Sequence, residues 1–368
     1  MTDRIAAARR AESSGTHTAS LVNQLAAQAR AERAGQGTLD PLAALVLANE
    51  QGPGGAGADG GYILTDFQLS RANETLAGLS PADQAAFRGL LSGAKSPEEA
   101  AYLWKALAAG HSVAEVQQFG ALIHAHGDDP LWLSQHLVPA LGTDGAREES
   151  TTEKVDLLYR GAEVGFNGRA LGGGGTYAQG DVNDCVAAST VVAHLELDPV
   201  TMLQVTTGNT PDVPGADSTS NFERRLQDLY IQRFQQGQLA DGSKPYPQGT
   251  SGLGDKGTRL VVDQNLEKAT GGPYENVSLK SDDDRRAALV RIEKALDEGK
   301  PVPLSVGDGT GFHEMVIMAR DGDKLQVYNP WGHSEWVTED QFIHSRLNAG
   351  HLTGNSNLNQ AYGVELPK

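Results

Sequence analysis

The stretch QGDVNDCVAAS, residues 179–189, contains the only cysteine of the 368-residue chain. The residues around it predict a helix from near Asp184 to about Leu197. Asn183 and Asp184 are suitable N-cap residues, so Cys185 is expected at the positive end of the helix dipole. This position lowers the pKa of a thiol and makes Cys185 a candidate nucleophile. The alternative is that Cys185 is a small buried apolar side chain without a chemical role.

Other parts of the sequence supply the groups that a nucleophilic thiol needs. Gln179 lies six residues before Cys185, and its side-chain amide could join the Cys185 backbone N–H in an oxyanion hole. His313 begins an apolar strand in GTGFHEMVIMA, where it can act as a general base. Asn329 ends the next strand in VYNPWG and can orient the histidine ring, while Trp331 can shield their hydrogen bond from water. Together these residues favour a catalytic role for the cysteine.

The segment between the two strands predicts how His313 and Asn329 meet. ARDGDK, residues 319–324, is typical of a hairpin turn, around which the two residues lie opposite or nearly opposite each other. Side chains alternate between the faces of a sheet, so the pair shares a face only if the loop has an odd number of residues. The sequence therefore predicts a three-residue loop, Arg320–Gly322 or Asp321–Asp323.

The order and spacing of these residues resemble those of papain-like cysteine peptidases. Both have a glutamine, a cysteine six residues later at a helix start, a histidine, and then an Asn-x-Trp sequence. The closer similarity is to the calpain catalytic core. QGDVNDCV, residues 179–186, is similar to its Gln-Gly-x-x-Gly-Asp-Cys-Trp sequence, and NPWGHSEW, residues 329–336, to its Asn-Pro-Trp-Gly-x-x-Glu-Trp sequence. The resemblance covers about residues 155–368.

The resemblance implies an α+β chain with a papain-like fold, in which a cleft separates a helical lobe headed by the cysteine helix from a β lobe. It implies that Cys185 is the nucleophile, His313 the general base and acid, Asn329 the orienting residue and Gln179 the oxyanion donor. Trp331 would support the site. The implied reaction is hydrolysis through a thioester acyl-enzyme.

Two positions differ from the pattern of these families. Val186 follows the cysteine where papains and calpains have an aromatic residue, and Phe312 precedes the histidine where calpains have a glycine.

The calcium-binding parts of calpains have no counterpart, and GDGTG (307–311) and DGD (321–323) are interpreted as turns. HAHGDD (124–129) is interpreted as a helix end. We therefore expect no cofactor and no metal.

The composition indicates a globular chain. Its formal net charge of −17 lacks the basic footprint of a protein that binds nucleic acid. One cysteine allows neither an intramolecular disulfide nor a cysteine-rich zinc site. No apolar run approaches the about 18 residues of a membrane span, and MTDRIAAARRAESSG at the N-terminus lacks a signal-peptide core. We expect cytoplasmic synthesis, with secretion by a route other than a classical signal peptide as a further expectation.

The first part of the chain predicts a different kind of structure. Residues 1–150 are expected to form an all-α N-terminal region with a targeting, regulatory or partner-binding role, and residues 151–368 the catalytic domain. Ser80, Ser96 and Ser112 begin three Ser-x-x-acid sequences spaced 16 residues apart. Each is a predicted helix cap. Apolar residues recur 7, 10 and 11 positions after each serine, which places them on one helical face.

Three functions are compatible with these features. The leading hypothesis is a cysteine peptidase of the bacterial effector or toxin kind, acting on a protein or peptide such as a host or target-cell protein. A papain-fold deamidase or transglutaminase would use the same triad and the same thioester, because the shape of the cleft selects the acceptor. The third hypothesis is a non-catalytic binding module on the same fold. The presence of Gln179, Cys185, His313 and Asn329 together disfavours it.

Overall fold

A computed structural model describes residues 63–139, 177, 179, 182–309, 311–347 and 358–368 of the chain. The helices, in chain order, are α1 (Asp66–Gly78), α2 (Pro81–Gly93), α3 (Pro97–Ala108), α4 (Val113–Ile123), α5 (Pro130–Leu137), α6 (Cys185–Leu197), α7 (Pro199–Thr207), α8 (Thr219–Ala240), α9 (Asp255–Thr270), α10 (Asp282–Asp297) and α11 (Glu339–Ile343). The strands are β1 (Tyr274–Ser278), β2 (Val302–Gly307), β3 (Phe312–Asp321), β4 (Lys324–Asn329), β5 (His333–Thr338) and β6 (Gln360–Pro367). These elements belong to the α+β class that the sequence predicted.

The described chain divides into two compact units. The first contains α1 to α5 and also Leu197–Ala216, which includes α7. The second contains α6 and the chain from Asp217 onward. Leu197–Ala216 was predicted to belong to the 151–368 domain, whereas it is part of the first unit. The predicted boundary after residue 150 lies outside the described residues. The assignment of roles to the two domains stays a prediction.

Hydroxyl caps begin four helices of the first unit, and those at Ser80, Ser96 and Ser112 were predicted from the sequence. Ser80, Ser96 and Ser112 each accept a hydrogen bond from the backbone N–H three residues later, and Thr65 does the same. Thr65 and Ser112 also form reciprocal capping boxes. Each cap pairs a backbone donor that the helix leaves unsatisfied, so these short helices have defined starts.

The predicted apolar face forms the core of the first unit. Phe87, Leu103, Phe119 and Ile123 are each at most 1% exposed. Phe87 also contacts Trp104 edge to face, with ring centroids 4.9 Å apart. The repeated spacing of apolar residues therefore predicted the packing of this unit correctly.

The second unit is built on a six-stranded sheet with the order β1-β6-β2-β3-β4-β5, and every neighbouring pair is antiparallel. Apolar side chains of β2, β3, β4, β6 and α10 pack into one cluster, which includes Leu304, Met315, Val327, Val364 and Ile292. The strands β3 and β4 are the two that the sequence predicted around His313 and Asn329. The sequence did not predict α9, β1, β5 or β6.

The β3–β4 hairpin shows that the predicted loop length is wrong. Asp321 pairs with Lys324, so the loop consists of two residues, Gly322 and Asp323, rather than three. Gly322 has a φ of 59°, which a tight hairpin turn requires and a glycine adopts without strain.

A β-bulge in β3 supplies the odd residue that the loop lacks. The pairing register shifts by one between Ile317 and Ala319, so β3 carries one extra residue there. Such a shift exchanges the two faces of the strand relative to its partner. His313 and Asn329, which a simple two-residue hairpin would place on opposite faces, therefore share a face.

Candidate active site

The structure brings His313 and Asn329 into direct contact. His313 Nε2 lies 2.8 Å from Asn329 Oδ1. Both side chains are buried, and Asn329 is 0% exposed. The backbone N–H of Trp331 also donates to Asn329 Oδ1, at 3.1 Å, and Gly332 N donates to the Asn329 carbonyl at 2.9 Å. The turn that follows β4 therefore fixes the side chain of Asn329.

This pair of hydrogen bonds determines the tautomer of His313. A backbone N–H can only donate, so the Asn329 atom facing Trp331 must be the carbonyl oxygen rather than the amide nitrogen. The same oxygen faces His313 Nε2, which must then carry a hydrogen. In the neutral ring the other nitrogen, Nδ1, is therefore unprotonated and able to accept a proton.

Trp331 covers the histidine as predicted from the sequence. The two rings stack with centroids 4.7 Å apart and an interplanar angle of 29°. Trp331 is itself half-buried, and His313 is 6% exposed. An aromatic face stacked against the imidazole restricts its rotation.

Cys185 begins α6, and hydrogen bonds join this helix to the start of β3. Ser189, one turn after Cys185, donates from its hydroxyl to the carbonyl of Glu314 at 2.9 Å. The backbone N–H of Glu314 interacts with the thiol itself and lowers the thiol pKa. Because Glu314 directly follows His313, these contacts place the half-buried cysteine beside the histidine segment.

The prediction of a low thiol pKa is wrong for this structure. Burial, together with smaller contributions from the charges of Glu314 and Asp184, raises the pKa of Cys185 to about 12. The predicted caps also differ, because Asn183 donates to the carbonyl of Thr250 and the Asp184 side chain is buried. Burial and neighbouring carboxyls thus outweigh the helix N-terminus.

Gln179 lies against the turn that contains Asn329. Its backbone N–H donates to the carbonyl of Pro330 at 2.6 Å, and its side-chain Nε2 donates to the carbonyl of Val182 at 2.9 Å. The side chain is buried. A primary amide has two N–H donors, of which Val182 takes one. The structure therefore joins the segments that begin with Gln179 and Asn329, which are far apart in sequence.

Buried carboxyls next to the candidate residues were not anticipated from the sequence. Glu314 is 3% exposed and Asp184 is 1% exposed. A signal for Glu314 was present, because it is a charged residue in the otherwise apolar strand HEMVIMA. Asp184 gave no such signal, since an aspartate before a helix predicts an exposed cap.

Comparison with known proteins gives limited similarity. No protein-family model and no curated protein match the chain. Among solved structures, the crystal structure of the Pseudomonas avirulence protein AvrPphB matches with a TM-score of 0.29 and 12% sequence identity, over 50% of this chain and 90% of that chain. A similarity of this size carries no argument about function, and the resemblance to calpains stays a prediction from the residues.

The histidines and carboxylates of the described residues form ion pairs and ring contacts. Within the described ranges, no group of three or more His, Cys, Asp or Glu side chains could hold a metal ion. His124 contacts Glu99 at 2.8 Å, and His126 stacks on Trp132 with ring centroids 3.9 Å apart. None of the helices formed by described residues has both the length and the apolar character for crossing a membrane.

Proposed function

We propose that the protein is a cysteine peptidase, with Cys185 as nucleophile, His313 as general base and acid, and Asn329 as the orienting residue. The observation that supports this most strongly is the Asn329 oxygen held between the Trp331 amide and His313 Nε2. That arrangement leaves His313 Nδ1 as the basic nitrogen. A histidine held in one tautomer near a thiol is what general-base catalysis needs.

The high thiol pKa makes a general base necessary. With a thiol pKa of about 12, very little Cys185 is ionised at neutral pH. His313 Nδ1 would take the thiol proton as the sulfur attacks the substrate carbonyl carbon. The resulting imidazolium would be stabilised by the Asn329 oxygen at Nε2.

The rest of the reaction follows from the same groups. Attack forms a tetrahedral intermediate whose oxyanion would accept hydrogen bonds from Gln179 Nε2 and from the backbone N–H of Cys185. Collapse breaks the C–N bond, and the imidazolium gives its proton to the leaving amine. A thioester to Cys185 remains. His313 then removes a proton from water, which attacks the thioester, and the released thiolate regains the proton.

The substrate is proposed to be a protein or peptide, with a host or target-cell protein as one class. Residues 1–150 would serve in targeting, regulation or partner binding. These assignments rest on the sequence resemblance and on the architecture predicted from it.

The test is to incubate the full chain with a peptide library and with denatured proteins, and to analyse the products by mass spectrometry. We expect cleaved peptides with wild type and none with Cys185→Ala. Glutamine converted to glutamate without cleavage, or amide cross-links to added amines, would show a deamidase or transglutaminase instead. No Cys185-dependent product in any arm would contradict enzymatic function on these substrates.

A further inference from the structure

The loop between α8 and α9, residues 241–254, adjoins the start of the cysteine helix. Asn183, two residues before Cys185, donates from Nδ2 to the carbonyl of Thr250 at 2.9 Å. Gly252 lies against the same asparagine, because a Cβ at this glycine would be 3.7 Å from the Asn183 carbonyl oxygen. Thr250 and Gly252 are both exposed. The α8–α9 loop therefore presents an accessible surface beside the candidate nucleophile.

Side chains of the α8–α9 loop also pack near the cysteine, in a small apolar cluster. The cluster consists of four buried residues from α6, α8 and α9: Val186, Ala187, Phe234 and Val261. Cys185 packs against this cluster, and so do Tyr246 and Leu253 of the loop. The loop thus meets the surroundings of the nucleophile through its side chains as well as through its main chain.

Gln238, in the last turn of α8, holds this loop through its side-chain amide. Its Oε1 accepts from the backbone N–H of Tyr246 at 2.7 Å, and its Nε2 donates to the carbonyls of Gly249 at 3.2 Å and Ser251 at 3.1 Å. A primary amide has two N–H donors and one carbonyl oxygen, so all three groups bind the main chain of the loop. Gln238 is 1% exposed. This buried amide therefore sets the path of residues 246–251.

Two other side chains near the end of α8 attach the same loop. Gln235 donates from Nε2 to the carbonyl of Tyr246 at 2.7 Å. The carboxylate of Asp241 accepts from the backbone N–H groups of Gly254 at 2.7 Å and Gly257 at 2.8 Å. Asp241 begins the loop and Gly254 ends it, so this carboxylate joins the two ends. The α8–α9 loop is consequently fixed at its ends and in its middle.

We propose that Gln238 is a positioning residue, which holds the α8–α9 loop as a surface against which a peptide substrate lies when its scissile carbonyl reaches Cys185. The proposal rests on the proposed function, because it takes Cys185 as the nucleophile. It adds a part of the substrate-binding surface and the residue that sets the position of that part. Since Gln238 is buried, it acts through the loop and does not touch the substrate itself.

The position of the loop should affect peptides more than small reagents. A peptide that reacts with Cys185 extends over the neighbouring surface, whereas iodoacetamide needs access to the sulfur only. Release of the loop should therefore slow labelling by a peptide and leave alkylation by iodoacetamide unchanged or faster. Loss of the folded state, or of the reactivity of the thiol, changes both rates. The ratio of the two rates separates these causes.

The experiment measures both rates by intact mass, which reports Cys185 alone because the chain has one cysteine. The peptide probe is a mixture of tripeptide vinyl sulfones. Gln238→Met removes the three hydrogen bonds and keeps the length of the side chain. Because misplacing a group by about 1 Å can cost about 100-fold in rate, we expect the ratio of vinyl sulfone to iodoacetamide labelling to fall about 10- to 100-fold. A folded Gln238→Met with the wild-type ratio would overturn the proposal.

A second pair of variants keeps the test decisive if Gln238→Met does not fold. Gln235 and Gln236 are adjacent, half-buried glutamines of α8. Gln235 donates to Tyr246 of the loop, whereas Gln236 accepts from Arg233 of its own helix at 3.2 Å. Gln235→Met should lower the ratio about fivefold, the effect of one ordinary hydrogen bond, and Gln236→Met should keep the wild-type ratio. Equal ratios in these two variants would also contradict the proposal.

The wild-type chain shows which of the two proposals fails. If folded wild type reacts with the vinyl sulfones no faster than the chain unfolded in urea, the proposed function fails, and the role of Gln238 fails with it. If folded wild type reacts faster but the loop variants keep its ratio, the proposed function stands and only the role of Gln238 is refuted.

Discussion

Truncation of Asn329 to alanine removes the contact on which the proposed triad depends. The Asn329 oxygen accepts from His313 Nε2 at 2.8 Å and from Trp331 N at 3.1 Å, at a site with 0% exposure. Asn329→Ala therefore leaves two buried donors unpaired and releases the histidine ring.

The size of the effect follows from these two hydrogen bonds. Each buried donor left unpaired costs about 1–3 kcal/mol, so the variant should lose about 2–6 kcal/mol of folding stability. A hydrogen bond to a charged group is worth about 1.5–3 kcal/mol. His313 carries a positive charge after it takes the thiol proton, so this larger value applies to its hydrogen bond with Asn329. Because about 1.4 kcal/mol corresponds to a factor of ten in rate, the reaction of Cys185 with a peptide electrophile should slow by about 10- to 100-fold.

The assay combines urea unfolding with labelling of Cys185 by an electrophilic peptide, followed by intact mass. Asn265→Ala is the matched control, because Asn265 is a buried asparagine that accepts from Arg233 at 2.9 Å and donates to Thr190 at 2.8 Å. It should lose similar stability but keep the labelling rate. Asn329→Asp, which retains an acceptor, should recover labelling relative to alanine. If folded Asn329→Ala labels as fast as wild type, the contact between Asn329 and His313 does not support the reaction of Cys185.

Three further predictions test other parts of the account. Gln179→Ala should reduce peptide turnover by about 100- to 1000-fold, as for the loss of an oxyanion donor, while alkylation of Cys185 by iodoacetamide stays near wild type; equal losses in both assays would contradict an oxyanion role. Trp331→Ala should slow labelling of Cys185 by an electrophilic peptide, because the ring stacked on the His313 imidazole no longer restricts its rotation, and Trp331→Phe should restore most of the rate; equal labelling of wild type and Trp331→Ala would contradict a supporting role for Trp331. Ser112→Ala should cost about 1 kcal/mol in chemical denaturation through loss of its capping box, whereas Ser92→Ala, at an exposed serine inside a helix, should cost less.

Features set by local sequence were predicted correctly. The hydroxyl caps at Ser80, Ser96 and Ser112 depend on contacts three residues apart, and the sequence contains both partners of each contact. The helix that begins at Cys185 ends at Leu197, where the residues Asp198-Pro199 predicted its end. Such features need no knowledge of distant parts of the chain.

The hairpin illustrates a feature that alternation alone could not give. His313 and Asn329 meet as expected, but the odd residue comes from a bulge near Met318 rather than from the loop. The requirement for an odd residue is visible in the sequence, because both side chains must share a face. The sequence does not show where this extra residue lies. A longer loop and a bulge both supply it, and which of them forms depends on the pairing of β3 with β2 as well as with β4.

The thiol environment depended on burial that the sequence does not reveal. A cysteine at a helix start predicts a lowered pKa, but only in the folded chain does Glu314 become a neighbour of Cys185 and the adjacent Asp184 become buried. Burial then reverses the sign of the shift. The strands β1 and β6 were missed for a related reason, because their pairing joins residues about 90 positions apart, such as Asn276 and Glu365.

The central claim is that His313 activates Cys185, and labelling by an electrophilic peptide tests it most directly. Wild type, His313→Ala and His344→Ala are compared at pH 6, together with wild type unfolded in urea. His344→Ala is the control variant, because His344 lies at the end of α11 and pairs with Asp282. The account predicts that folded wild type and His344→Ala label faster than the unfolded chain, and that His313→Ala labels about 100-fold more slowly than wild type. Folded Cys185 that labels no faster than the unfolded thiol, or equally fast without His313, would contradict the account.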